Sequence, residues 1–392
     1  MHKTPALLAL LPILSSLLSS ASPTSYAIWA ADSAISRGQG NGTVKGSISV
    51  NYEHGEFQWA LRQLYEVTSD EKYFNYIKHG IDSILNNDGT EISGYDVSDF
   101  QLDPMRVGPS FIYLHEKTND TKYKNAAKIF RDQLDIHPRS PAGQFWHKKI
   151  YPNQGWLDGL YMGDVFYAEY TKSYEPDNKT AWDDVNHQLT LMFNNTIQSE
   201  TDDNYIGLPY HGYDASHTAI WASEDRGHSP EVWDRATGWL AMSLVDLVES
   251  IPTSQKLHST ALHQLRTIIP ALAAQADPVW WLVMTQPGRD GNYYESSGAA
   301  MFVYSMLKAV RLGYIENGAE DVLSTAKMAY EYIVANWVVD NGDDTMDWLG
   351  TVEVGSLASS GDYEYYISQT VDTNDLKGLA AFVLASVEYE KL

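Results

Sequence analysis

The sequence predicts an all-α fold, an (α/α)6 barrel in which six helical hairpins form a toroid. Two observations carry the prediction: a repeat of about 50 residues built from hairpins, and apolar residues at helical spacing down to the carboxyl end. A third separates a closed toroid from an open solenoid. The connections 144–156, 205–233 and 340–366 are long and carry unusual residues, as loops do when they gather at one end of a rigid scaffold.

The first element is a processing signal. Met1-His2-Lys3 precedes an apolar run from Ala6 to Leu18, too short to span a bilayer, and Ser19-Ser20-Ala21 suits cleavage after Ala21. A second candidate cut follows Ala27. Residues 1–21 are therefore expected to be a signal peptide and 22–392 a single domain, because no Gly/Ser- or Pro-rich linker divides them. Secretion to the extracellular space is expected, with no membrane attachment after processing. Sequons at Asn41, Asn119, Asn178 and Asn194 fit a glycoprotein of that compartment.

The stretch before Asn51 reads as a lone outer helix. Leu64-Tyr65-Glu66-Val67-Thr68-Ser69-Asp70-Glu71-Lys72-Tyr73 is echoed by Leu114-His115-Glu116-Lys117-Thr118-Asn119-Asp120-Thr121-Lys122-Tyr123. In each copy a helix ends near the Thr, a polar turn follows, and the Tyr opens the next periodic stretch. Weaker hairpins join 165–170 to 182–191, 240–249 to 257–269 and 301–313 to 322–338. Leu379, Phe382, Val383 and Ala385 mark the last helix.

Composition narrows the chemistry. Lys and Arg total 27 against 51 Asp and Glu, a net charge of −24, which argues against nucleic-acid and anionic-membrane partners. With no cysteine, thiol nucleophiles, Fe–S clusters and cysteine zinc sites are excluded. No His-Glu-x-x-His, Gly-x-Ser-x-Gly or phosphate-cradling loop is present, and His211 and His217 are not spaced to share a helical face, so no metal or other cofactor is expected. The 12 Trp, 26 Tyr and 10 Phe suit a core, and also a carbohydrate ligand.

Four stretches could carry chemistry. In Trp156-Leu157-Asp158-Gly159-Leu160-Tyr161-Met162, Asp158 is either a plain carboxylate at a helix start or an acid kept protonated by its aromatic surroundings. In Leu102-Asp103-Pro104, Asp103 is either a helix cap ahead of a first-turn proline or the second member of a carboxylate pair. Between Gly207 and Trp239 lie His211, structural or functional, and Trp233-Asp234-Arg235 with Trp239. Arg235 can stack between the indoles, or grip a carboxylate while they flank a sugar ring. In Glu295-Ser296-Ser297-Gly298 the serines read as helix caps, and Tyr363-Glu364-Tyr365-Tyr366 suits a pocket rim.

These runs, together with Phe145-Trp146-His147-Lys148-Lys149-Ile150-Tyr151-Pro152-Asn153-Gln154, resemble the unsaturated rhamnogalacturonyl hydrolases, glycoside hydrolase family 105, in order from about Tyr52 to the end. The chain looks like a secreted, fungal-type member. It departs from the pattern where Val50-Asn51 stands before Tyr52-Glu53-His54-Gly55 in place of a tryptophan.

The resemblance implies an (α/α)6 barrel and a substrate that ends in a 4,5-unsaturated uronic acid left by a polysaccharide lyase. It further implies hydration of the enol ether, with an acid protonating C4 and water adding at C5, after which the glycoside falls apart. Carried over by position, Asp158 is the general acid and base, Asp103 its partner, and His211 positions substrate or water. Trp233, Arg235, Trp239, Trp156, His147 and Lys148 are the implied substrate-binding set. Galacturonyl over glucuronyl, the preference of the related family 88, rests on the motif match. The alternative from another class is a non-catalytic carbohydrate-binding toroid.

Overall fold

The computed structural model describes residues 23–392; the expected signal cleavage after Ala21 lies outside the described residues. Twelve helices build the frame: α1 (Tyr26–Ser36), α2 (Tyr52–Thr68), α3 (Glu71–Ile84), α4 (Gly108–Thr118), α5 (Thr121–Ile136), α6 (Val165–Tyr174), α7 (Lys179–Thr196), α8 (Asp234–Ser250), α9 (Lys256–Ala274), α10 (Ser296–Arg311), α11 (Ala319–Trp337) and α12 (Leu376–Tyr389). Even-numbered helices form an inner ring, each packed on the next, and the ring closes where α12 meets α2. The odd-numbered helices lie outside. This is the (α/α)6 barrel.

The sequence pattern explains which helix goes where. In α3 the buried side chains are Tyr73, Ile77, Ile81 and Ile84, a single stripe, so one face stays in water. In α10 every residue from Ser296 to Ala309 is buried, and in α12 every residue from Leu376 to Glu388. Helices apolar on all sides have nowhere to go but the centre.

The 50-residue repeat is the first two closed hairpins. Helix α2 stops at Ser69, which turns left-handed at φ 56°, and Asp70 then caps α3 by accepting from Lys72 N at 3.0 Å. Asn119, at φ 57°, and Asp120, accepting from Lys122 N at 3.0 Å, repeat the device between α4 and α5. Short turns therefore lie at one end of the barrel, and the inner helices all begin at the other.

The long connections meet at that beginning end. Lys377 in the first turn of α12 reaches Glu53 in the first turn of α2 at 3.1 Å, and Arg235 in the first turn of α8 reaches Ser297 in the first turn of α10 at 3.1 Å. Between them run short two-stranded ladders, of which Gln154–Trp156 with Gly212–Asp214 matters most.

Two local expectations change. Asp103 caps nothing: it lies inside a 3-10 turn, Asp103–Val107, with Pro104 behind it, and its carboxylate turns to side chains of another loop. Ser296 and Ser297 do not cap α10; Glu295 does, accepting from Gly298 N at 2.7 Å, while Ser297 donates to Glu295 at 2.8 Å. At the departure before Tyr52, Asn51 caps α2 through Glu53 N at 2.8 Å.

Candidate active site

Backbone pairing brings the two aspartates to one mouth. Leu102 N donates to His147 O at 3.1 Å and Lys149 N to Phe100 O at 2.9 Å, which lays 100–102 beside 147–149. Asp103 consequently meets Lys148 Nζ at 2.5 Å and His147 Nε2 at 3.4 Å. His147 N donates to Gln154 O at 2.8 Å, and Gln154–Trp156 pairs with Gly212–Asp214. A Cβ at residue 212 would lie 2.6 Å from Gly155 O, so this close approach needs glycine. Leu157 N then donates to His211 O at 3.0 Å, which sets His211 beside Asp158.

Asp158, Asp103 and Lys148 are the partly open members, with side-chain exposures of 14%, 15% and 24%. His211 is fully buried and its Nε2 lies 3.0 Å from Asp158 Oδ2, while its Nδ1 lies 2.7 Å from the Tyr366 hydroxyl. A carboxylate only accepts, so Nε2 carries the hydrogen; in the neutral ring Nδ1 then accepts from Tyr366. The result is a chain, Tyr366 to His211 to Asp158, reaching from the last long loop into the mouth.

The electrostatics overturn one expectation. Asp158 is not held protonated in the free protein. Burial does push its pKa up, but His211 by charge and hydrogen bond, and then His147 by charge, outweigh it and hold Asp158 below the usual carboxylate range. Burial lowers His147 to about 4, against the pull of Asp103. Burial also disfavours the Lys148 ammonium, but Asp103 more than offsets this and raises its pKa.

The remaining expected residues are walls. Trp156 stacks with His147 at 4.5 Å and Tyr151 at 4.8 Å and meets His211 edge-on at 5.5 Å. Trp233 is 2% exposed and stacks on Tyr366 at 5.6 Å; Trp239, 1% exposed, stacks on Tyr161 at 5.0 Å. Neither indole presents a free face to solvent. Arg235 stacks on one indole and not between two: its guanidinium lies 4.8 Å from the Trp233 ring and donates to Ser297 Oγ at 3.1 Å, Val352 O at 2.6 Å and Glu353 O at 3.3 Å. Burial and the neighbouring Glu295 charge push Asp234 well above the usual range, leaving Arg235 paired with Glu295 at 3.7 Å.

His217 lies apart, bonded to Ser223 O at 2.9 Å. Among the described residues no group of three or more His, Asp or Glu is arranged to hold a metal, and no helix is long and apolar enough to cross a membrane. Sequence reasoning passed over Glu295 as a cap and Tyr151 as a stacking partner; the position of Glu295 just before two serines and a glycine was the available signal for the cap.

Comparison with known proteins shows the family and the fold. The family model described as Glycosyl Hydrolase Family 88 matches residues 31–392. A solved glycoside hydrolase of family 105 from C. acetobutylicum ATCC 824 is 36% identical, with a TM-score of 0.86 over 94% of this chain and all of that one. The unsaturated rhamnogalacturonyl hydrolase YesR of Bacillus subtilis is 22% identical over 69% of this chain and 74% of its own. An unsaturated glucuronyl hydrolase from Streptococcus agalactiae, 13% identical with a TM-score of 0.61 over 89% of this chain and 84% of that one, shares the fold.

Proposed function

The chain belongs to the glycosyl hydrolase 88/105 family of unsaturated uronyl hydrolases, and from that membership we propose that it removes the 4,5-unsaturated galacturonyl residue from the non-reducing end of lyase-generated rhamnogalacturonan oligosaccharides. The observation that carries this reading is Asp158 at the barrel mouth, partly open and hydrogen-bonded to His211, with a second carboxylate, Asp103, paired to Lys148 and 3.4 Å from His147 in the neighbouring loop. The likeness to YesR supports the galacturonyl preference.

In this mechanism Asp158 protonates C4 of the ring while water adds at C5, its second proton passing back to the Asp158 carboxylate. The C5 hemiketal opens to a ketone, and the hemiacetal left at C1 expels the next sugar. A vinyl ether gains oxocarbenium character at C5 on protonation, and the Asp103 carboxylate is the nearby negative charge that stabilises it. Asp158 is a carboxylate in the free protein, so its proton arrives with the substrate: the uronate adds a negative charge and excludes water, and both raise a neighbouring carboxyl's pKa. Lys148, the partly exposed cation, meets the uronate carboxylate, with the buried Arg235 adding to the positive field. Tyr366 and His211 hold Asp158 in place.

We extend the proposal to the compartment: the chain is secreted after cleavage at Ala21. The alternative cut after Ala27 would remove Ser25, whose hydroxyl bonds Glu390 at 2.7 Å and caps α1.

The test follows ultraviolet absorbance and released sugar with unsaturated rhamnogalacturonan disaccharide and its saturated equivalent. The expected result is loss of the conjugated-acid band and release of sugar from the unsaturated substrate alone. An unchanged band with every unsaturated uronide offered contradicts the hydration, and release from the saturated sugar points to an ordinary glycosidase.

A further inference from the structure

Arg235 rests on a pair of buried acids that the mechanism above does not use. Asp234 and Glu295 are both fully buried, and Arg235 is 2% exposed. Gly298, in the first turn of α10, lies against both: its N donates to Glu295 Oε2 at 2.7 Å, and a Cβ there would lie 2.5 Å from Asp234 Oδ2. Contact with the reaction centre runs through packed rings. The Arg235 guanidinium lies 4.8 Å from the Trp233 ring, Trp233 lies 4.8 Å from His211, and His211 Nε2 lies 3.0 Å from Asp158.

The hydrogen bonds place a proton. Glu295 accepts from the Ser297 hydroxyl at 2.8 Å, Gly298 N at 2.7 Å and Val352 N at 2.9 Å, as a carboxylate does. Asp234 accepts from Arg235 N at 2.7 Å through Oδ1, while its Oδ2 meets no donor. An ionised Asp234 would leave a buried, charged oxygen unpaired beside a second carboxylate. One guanidinium would then serve both, since among the described residues Arg235, 3.7 Å from Glu295, is the one cation paired with either acid. A hydrogen on Asp234 Oδ2, donated to Glu295, removes both costs. Burial and the Glu295 charge favour the same protonated form.

The pair grips the arginine through two intermediaries. Ser297 donates to Glu295 and accepts from Arg235 Nη1 at 3.1 Å; Val352 donates its N–H to Glu295 and accepts from Arg235 Nη1 at 2.6 Å. The other ionisable groups facing Arg235 are Tyr52 from α2 and Asp375 ahead of α12, and Lys377 neutralises Asp375 at 2.6 Å.

Resting on the proposed hydrolysis, in which Arg235 adds to the field that draws in the uronate, we infer that Asp234 is a positioning residue: a carboxylic acid that donates its proton to a hydrogen bond with Glu295, fixes Arg235 in the wall of the mouth, and leaves it one counter-charge instead of two. An incoming uronate then meets a neutral cluster, where an ionised Asp234 would present a net negative one. The proton stays on the pair throughout turnover.

The direct test is the infrared difference spectrum at neutral pH between the unaltered protein and Asp234→Asn. It should contain the carbonyl stretch of a protonated carboxyl, shifted in heavy water; a difference spectrum without that band overturns the proposal. Kinetics on the unsaturated disaccharide give a second reading. Asp234→Leu, similar in size, cannot donate to Glu295, so KM should rise about tenfold while kcat holds, and Asp234→Asn, whose amide donates as the acid does, should bring KM back. Equal KM in Asp234→Leu and the unaltered protein overturns the proposal, as does a KM in Asp234→Asn as high as that of Asp234→Leu. So does a KM in Asp234→Asn about tenfold below that of the unaltered protein, the result expected if a negative charge had been removed. An Asp234→Asn that does not fold overturns it too, since the amide matches the acid in charge and size; where Asp234→Leu does not fold, the infrared band decides. No turnover of any unsaturated uronide overturns the hydrolysis, and the infrared band then decides the protonated pair by itself.

Discussion

At the scale of single residues, Asp158 carries the account. Asp158→Asn keeps size and the bond from His211 but cannot deliver a proton, so turnover should fall by roughly 10²–10⁴-fold with little change in melting temperature. If Asp158 were only a residue of a helix start, the same variant would retain most of its activity. Because Asp158, which accepts from His211 Nε2, lies below the usual carboxylate range and is ionised in the free protein, binding of a non-reacting uronate ligand should take up protons at pH 7, measured as a dependence of calorimetric heat on the buffer's ionisation enthalpy. Equal heats in all buffers would contradict that step. Tyr366→Phe removes the donor to His211 Nδ1 and frees the ring to change tautomer; kcat should drop about tenfold, KM should hold, and the pH profile should shift, whereas a purely structural role would leave the profile in place. The family resemblance carried Asp158, Asp103 and His211 to one site by position, and the structure brings Asp158 to His211 and Asp103 to His147 and Lys148. Tyr366 was legible only as a rim aromatic, since its partner His211 is 155 residues away and no local pattern encodes that contact. The protonation of Asp158 was misread for a related reason: aromatic neighbours in sequence suggested desolvation, but the imidazoles that outweigh it come from other loops.

At the scale of elements, the straps behind the mouth make their own predictions. His137 ends α5 and fixes the 145–148 strap, its Nε2 2.8 Å from Trp146 O and its Nδ1 3.1 Å from Gln133. Burial lowers its pKa to about 4. Between about pH 6.5 and pH 4 the unfolded chain binds the proton that the folded one refuses, so this group's contribution to stability is lost as pH falls through that window. The stability difference between the unaltered protein and His137→Gln should therefore shift in favour of the variant by up to ~3 kcal/mol on acidification from pH 7 to pH 4; a difference constant with pH would contradict it. Gly55 shows how one position in α2 sets the site: a Cβ there would lie 2.3 Å from Arg106 O, in the turn that carries Asp103. Gly55→Ala should cost about 1–3 kcal/mol in denaturant unfolding and lower turnover as well, because relief requires the Asp103 turn to move. Asn119, exposed in its left-handed turn between α4 and α5, is placed to carry a glycan pointing outward, and mass analysis of the peptide from a eukaryotic host should find it modified. Asn178 is a poorer acceptor by geometry, since its side chain caps α7 at 3.1 Å and donates to Glu175 at 2.7 Å.

At the scale of the whole molecule, the barrel was legible because a toroid repeats one hairpin, and repetition survives in sequence as Leu64–Tyr73 and Leu114–Tyr123. What the pattern could not show is the polar interior of the inner ring. Glu56 is fully buried, and burial raises its carboxyl well above the usual range, only partly relieved by Arg106; Lys308 is pinned between Asp246 at 2.8 Å and Glu249 at 2.7 Å. Charged residues on helices otherwise apolar all round read as exceptions in a sequence, and only closure of the ring brings them together. The same closure gathers four loops, from four separate parts of the chain, over the first turns of the inner helices, and the reaction proposed for that mouth is addition to a double bond. The most direct test is proton magnetic resonance of an unsaturated rhamnogalacturonan disaccharide turned over in heavy water. The account predicts that the alkene C4 proton signal disappears at the rate of sugar release and that a single deuterium enters at C4, both abolished in Asp158→Asn. A released sugar that still carries its alkene signal, with no deuterium at C4, would contradict it.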